Sequence, residues 1–119
     1  MELEHFTLSE FDSSDLPGSG ENMDQDFLEM LDEARDIANV SFVINSGYRT
    51  PNHNKTVGGV SDSSHLKGFA ADIKCTDSIK RFIIVNALML AGFTRIGIAG
   101  SFIHVDNDPN KTPDVIWTY

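Results

Sequence analysis

Of the four histidines in this chain, His65 and His104 stand where a metal ion would want imidazoles. His65 closes a polar stretch, and Asp72 follows in the alternating run Phe69-Ala-Ala-Asp-Ile-Lys-Cys75. There Phe69, Ala71, Ile73 and Cys75 take one face of a strand, while Ala70, Asp72 and Lys74 take the other. Residues seven apart on a straight strand point to opposite sides. Convergence of His65 on Asp72 therefore needs a turn, which Gly68 can supply. Ala70 is small and leaves space beside Asp72. In Phe102-Ile-His-Val-Asp106 the pattern repeats, with Ile103 and Val105 opposed to His104 and Asp106. If the two strands are neighbours, His65, Asp72 and His104 offer two nitrogens and one oxygen. Such a set leaves one coordination position open, the usual form of a catalytic zinc site. One Zn2+ held there would bring the pKa of a water to roughly 7 and polarise a scissile carbonyl. The competing reading is plain: a histidine beside apolar residues is commonly a satisfied core group, and an aspartate on the polar face of a strand is commonly solvated. Spacing alone leaves both open.

Ser63-Ser-His-Leu-Lys-Gly-Phe-Ala-Ala-Asp72 has the form Ser-x-His-x-x-Gly-x-Ala-x-Asp, with Ser46-Gly-Tyr-Arg-Thr50 upstream and Phe102-Ile-His-Val-Asp106 downstream. In this order the three segments resemble the zinc D-Ala-D-Ala carboxypeptidase family, which shares its fold with the hedgehog signalling domain. The resemblance spans about residues 24–119. It implies one Zn2+ on His65, Asp72 and His104, and hydrolysis of peptide bonds in bacterial peptidoglycan by a monomer acting on the stem peptide. The short form, with no appended wall-binding domain, is similar to versions carried by bacteriophages, which implies a lysis or wall-remodelling enzyme. Carboxypeptidase and endopeptidase activities both remain open, with the loop from Pro51 to Val60 deciding substrate fit.

The resemblance also brings Arg49 into the site, where a guanidinium suits a substrate carboxylate or an oxyanion. The alternative is an arginine that holds its own loop through backbone carbonyls. Ser63 is a candidate to bind substrate or orient a ligand, or else a turn-stabilising hydroxyl; Tyr48 either walls the pocket or packs. Many family members carry an acid three positions before the last histidine ligand, and here that position is Ser101. Asp106, about 7 Å along the strand from His104, is either the general base or the partner that orients His104. Asp108 is a weaker substitute. The missing acid also sustains an alternative, a non-catalytic zinc-containing wall-binding or structural module.

The remaining sequence narrows the function classes. With 18 acids against 9 bases the formal charge is −9, which argues against a nucleic-acid partner or an anionic membrane surface. The apolar-rich run from Phe82 to Phe93 is too short for membrane insertion. Cys75 is the one cysteine, so no intrachain disulfide or Cys-rich zinc site can form, and it reads as a small buried hydrophobe. No basic start followed by an apolar stretch opens the sequence. Synthesis in the cytoplasm without a signal peptide is expected, with access to the wall through lysis, a pore or a virion. Asp106-Asn-Asp-Pro-Asn110 opens like a calcium loop, but Lys111 and Trp117 stand where that loop needs Gly and Glu.

These residues need a scaffold. Residues 1–23 read as an extended arm without a regular core, with Phe6, Leu8 and Phe11 able to tack it onto the domain, and 24–119 as the peptidase domain. Asp24 caps a helix running to about Asn39, with Phe27, Leu28, Leu31, Ala34, Arg35 and Ala38 at spacings of three and four. A strand is expected over Ser41–Ser46, a long loop over 48–64, and a strand over Phe69–Cys75. Asp77 or Ser78 caps a second helix with Ile79, Phe82, Ile83, Asn86, Ala87 and Leu90 on its apolar side, ended by Gly92. Thr94–Ile98 and Phe102–Asp106 form a hairpin, and Val115–Tyr119 can add an edge strand. The expected fold is α+β, a small antiparallel sheet packed against two helices, hedgehog/DD-peptidase-like.

Overall fold

The computed structural model describes residues 2–119, so Met1, the first residue of the expected arm, lies outside the described residues. Helix α1 spans Gln25–Ala38. The Asp24 carboxylate accepts from the Phe27 N–H at 2.9 Å, and Asn39 ends the helix in the left-handed region. Phe27, Leu28, Leu31 and Ala34 are fully buried, as their spacing requires. Strand β1 is confined to Ile44–Ser46, shorter than expected, and its pairing with the next strand is irregular between Ile44 and Ser46.

The stretch expected to be loop contains a short helix, α2, at Pro51–Thr56. Thr50 accepts from the His53 N–H at 3.1 Å, and Pro51 occupies the first turn, where its missing N–H costs nothing. Thr-Pro here is a helix start, not loop punctuation.

Strand β2 is Ala70–Lys74, helix α3 is Ser78–Leu90, and strands β3, β4 and β5 are Arg95–Ile98, Phe102–Asp106 and Val115–Thr118. The sheet order is β1-β2-β4-β3-β5. Its pairings are antiparallel except that of β3 with β5, which is parallel. The expected antiparallel sheet is therefore mixed: the chain leaves β4, passes the far edge of β3 and returns in the same direction as β3.

One face of the sheet carries Ala71, Ile73, Ile96, Ile103 and Val105 into a core shared with α1 and α3. The expected apolar side of α3 is rotated. Ile84, Ala87 and Leu88 are the buried residues, whereas Phe82 is 72% exposed and Ile79 and Leu90 face solvent with it. A helix apolar on most sides gives periodicity little power to choose a face.

The expected arm also belongs to the core. Phe11 is fully buried and Phe6 nearly so, their rings edge to face at 5.4 Å. The Tyr48 N–H donates to the Phe11 carbonyl at 2.9 Å, and a Cβ on Gly47 would lie 2.7 Å from Phe11 Cα. Asp32 on α1 accepts from the Glu4 and His5 N–H groups, both at 2.9 Å. Phe6 and Phe11 thus tack the segment onto the domain as expected, whereas Leu8 is 40% exposed. Phe11→Ala is expected to lose about 3–5 kcal/mol of stability in urea unfolding, while Phe82→Ala changes it by no more than about 0.5 kcal/mol.

Candidate metal centre

The polar face of the sheet is the site face. Across it Ser46, Asp72, His104, Gly97 and Trp117 form one row through all five strands. Asp72 and His104 are direct antiparallel partners, so their side chains rise together from the pleat. His104 Nδ1 lies 3.0 Å from Asp72 Oδ1, and His104 Nε2 lies 2.7 Å from Asp106 Oδ2.

His65 arrives from outside the sheet. It lies in a single 3-10 turn, Ser64–Lys67, opened by Ser63, whose hydroxyl accepts from the His65 N–H at 3.3 Å. Gly68 ends the turn at φ 77°, and a Cβ there would strike the Asn22 carbonyl oxygen. Glycine is thus required twice over, and the reversal turns His65 back over β2. Its Nδ1 lies 2.8 Å from the Gly47 carbonyl. A carbonyl can only accept, so Nδ1 carries the hydrogen and Nε2 keeps a lone pair. That Nε2 is 3.3 Å from Asp72 Oδ1.

One donor atom from each of His65, Asp72 and His104 lies within 4.8 Å of the others, and all three side chains are buried. Each also has its remaining polar atom held: His65 by Gly47, His104 by Asp106, and Asp72 Oδ2 by Arg49 Nη2 at 3.5 Å. Two imidazole nitrogens and one carboxylate oxygen, each oriented from behind, fit a zinc ion. Burial works against ionising Asp72, but its close contacts with the His104 and His65 imidazoles prevail and hold its carboxyl well below the usual carboxylate range. Burial likewise opposes charge on His104, and the Asp106 and Asp72 carboxylates on its two sides raise its pKa nonetheless.

Arg49 is held by side chains, not by backbone carbonyls. Its Nε donates to Ser46 Oγ at 3.1 Å and its Nη1 to Asn54 Oδ1 at 3.2 Å. Together with His65, Asp72 and His104 it lines a cavity of about 350 Å3. Ser63 lines that cavity too, with its hydroxyl engaged in the turn. Tyr48 does not; it packs against the core. Ser101 is exposed in the β3–β4 hairpin, outside the cavity lining.

Asp106 is only 1% exposed. Its Oδ1 accepts from Arg95 Nε at 2.7 Å, and its Oδ2 faces His104 Nε2, across the imidazole from Asp72. Asp108 is tied elsewhere, accepting from the Ser64 hydroxyl at 2.8 Å and the Asn110 N–H at 3.0 Å, with Lys67 Nζ at 3.5 Å. This clip fastens the His65 turn to the chain beyond β4.

Arg95, Asn54, Trp117 and Tyr119 were not legible as site residues. Arg95 gains its place only through register opposite Asp106. Asn54 sits in the unforeseen α2, where it joins Arg49 to the Val60 carbonyl. Only the alternation Val115, Trp117, Tyr119 along the last strand hinted at the aromatic pair.

An α+β domain whose sheet face gathers two imidazoles and a carboxylate at the floor of a cavity, beside an arginine, has the make-up of a metallopeptidase. The Peptidase M15 family model matches residues 4–106, and the chain belongs to that family. The match includes all three candidate ligands and the N-terminal segment from Glu4, and it ends at Asp106, before β5. No curated protein matches the chain.

Burial opposes the charge on Asp108, but bonds from the Asn110 N–H, Ser64 and Lys67 lower its pKa. A carboxyl with a lowered folded-state pKa contributes stability above its unfolded pKa and loses it as pH falls through the folded value. Asp108→Ala is therefore expected to cost about 2–3 kcal/mol at pH 7. In urea unfolding at a series of pH values, the gap from wild type should narrow below about pH 4.

Proposed function

We propose that the protein is a zinc-dependent peptidase that hydrolyses peptide bonds in peptidoglycan stem peptides, of the D-Ala-D-Ala carboxypeptidase or endopeptidase type, in phage lysis or wall remodelling. The observation that carries this reading is the convergence of one donor atom each from His65, Asp72 and His104 within 4.8 Å at the cavity floor. Membership of the M15 family, whose peptidases are zinc-dependent, supports it. Among the described residues no helix is long and apolar enough to cross a membrane.

Zinc, when bound, supplies Lewis-acid chemistry that polarises a carbonyl and acidifies water. The chain's own groups do the rest. His65 presents Nε2 because Gly47 takes the hydrogen of Nδ1. His104 presents Nδ1 because Asp106 accepts from Nε2. Arg49, held by Ser46 and Asn54, directs its guanidinium beside Asp72 toward a substrate carboxylate or the oxyanion of a tetrahedral intermediate. Of the two roles open to Asp106, the geometry favours orienting His104, since both its oxygens are engaged and it lies behind the imidazole.

One observation favours the second reading, a zinc-containing wall-binding module without turnover. Among the described residues lining the cavity the acids are Asp72 and Asp106. Asp72 belongs to the ligand set, and both oxygens of Asp106 are engaged by Arg95 and His104. Neither is free to act as a base.

Digestion of purified peptidoglycan, read by mass spectrometry of the released muropeptides, separates the readings. Zinc-loaded protein is expected to create new peptide termini, lost on chelation and regained with zinc; no cleavage of any wall type leaves the binding module. In the same assay Asp106→Asn is expected to weaken zinc binding by roughly 10–100-fold and to recover activity in excess zinc. Unchanged zinc affinity with lost turnover would make Asp106 the base.

A further inference from the structure

The cavity has a wall that the family match does not reach. Strand β5 runs parallel to β3, with Trp117 beside Gly97 and Gly97 beside His104 in the row that contains Asp72. Gly97 is the gap in that row. A Cβ there would lie 2.6 Å from Trp117 Nε1, so only glycine lets the indole lie across β3. The indole reaches the His104 ring at a centroid distance of 5.5 Å. Arg95, which also grips Asp106, stands over the indole at 5.1 Å from its centroid.

Just past the end of β5, Tyr119 lines the same cavity as Trp117. Its ring is 5.2 Å from that of Phe102, the neighbour of His104 on the same side of β4. Tyr119 remains 69% exposed. Trp117, Tyr119 and Phe102 thus form an aromatic shelf along one side of the cavity, while Val57 and Val60, both exposed, supply an apolar rim from the loop after α2. The floor is ionic, and Trp117, Tyr119 and Phe102 on one side and Val57 and Val60 on the other offer apolar surface, with Arg95 and Lys111 also in the lining. This suits an extended peptide whose reacting amide meets the floor while its uncharged side chains rest on the sides.

Resting on the peptidase reading, we propose that β5 is the specificity wall of this site: Trp117 and Tyr119 bind the peptide segment flanking the scissile bond, taking an uncharged side chain on their ring faces. Planar aromatic faces give contact area at little entropic cost, and an indole already packed on His104 and Arg95 loses no freedom on binding.

Trp117 is the one tryptophan in the chain, so emission excited selectively at the indole, beyond tyrosine absorption, reports on this wall. The test uses zinc-loaded full-length protein and a synthetic stem pentapeptide ending in D-Ala-D-Ala. Saturable change in emission and protection from acrylamide quenching are expected as peptide is added. Trp117→Ala should raise KM about tenfold with kcat within about twofold, and Trp117→Phe should restore most of the loss. Zinc content is measured in each variant, because Trp117 also touches His104 and a merely structural role would lower zinc occupancy. Tyr119→Ala, a change at an exposed position, should raise KM about threefold without altering zinc content. If the peptide is cleaved while emission, quenching and both KM values stay unmoved, the wall is disproved and the peptidase stands. If it is not cleaved but still shields Trp117 saturably, the wall stands and turnover falls. Neither cleavage nor shielding overturns both.

Discussion

The site depends on the pairing of Asp72 with His104 across β2 and β4. That register fixes a carboxylate oxygen 3.0 Å from an imidazole nitrogen, and the same alternation sends Ala71, Ile73, Ile103 and Val105 into the core behind them. Because the side-chain period of a strand is two, a slip of one residue would drive the donors into the helices and the aliphatic residues into the cavity. Burial of the apolar face therefore enforces the chemistry of the polar face. His65 is outside this register, and its position comes from a 3-10 turn whose Gly68 fits only because it has no side chain.

Collecting charged and polar groups below the surface is unfavourable unless every one has a partner. Here the partners extend outward in layers. Gly47, Asp106 and Arg49 hold the donors; Arg95 holds Asp106; Ser46 and Asn54 hold Arg49. The N-terminal segment participates through the backbone: Phe11 packs under Gly47, whose carbonyl orients His65. Residues that looked like an arm are thus continuous, through Gly47, with the candidate metal centre. The same is true at the other end of the chain, where Arg95 reaches the Thr112 carbonyl as well as Asp106 and Trp117.

What the sequence discloses follows from which residues act through local pattern and which through tertiary register. The helix from Asp24, the β2 alternation and the turn at Gly68 are local, and each lies where spacing and capping put it. The convergence of His65, Asp72 and His104 was legible because two strands repeat one polar–apolar pattern and the linking motif resembles a known signature. The face of α3 was not legible, since its apolar residues surround the helix. Nor was α2, whose Thr-Pro start is compatible with a loop. The parallel return of β5 depends on a connection with no periodicity, so the place of Trp117 beside His104 could not be derived. Tyr48 adjoins the Arg49 motif, yet packs on the core because neighbouring residues in extended backbone point to opposite sides.

Zinc K-edge X-ray absorption of the purified protein loaded with one equivalent of zinc tests the central claim most directly. The account predicts a four-coordinate ion with two imidazoles at about 2.0 Å and the remaining oxygen ligands at about 2.0–2.2 Å, and loss of imidazole scattering when His65 and His104 are both replaced by alanine. A shell of oxygens without imidazole, or a spectrum unchanged by that double replacement, would contradict it.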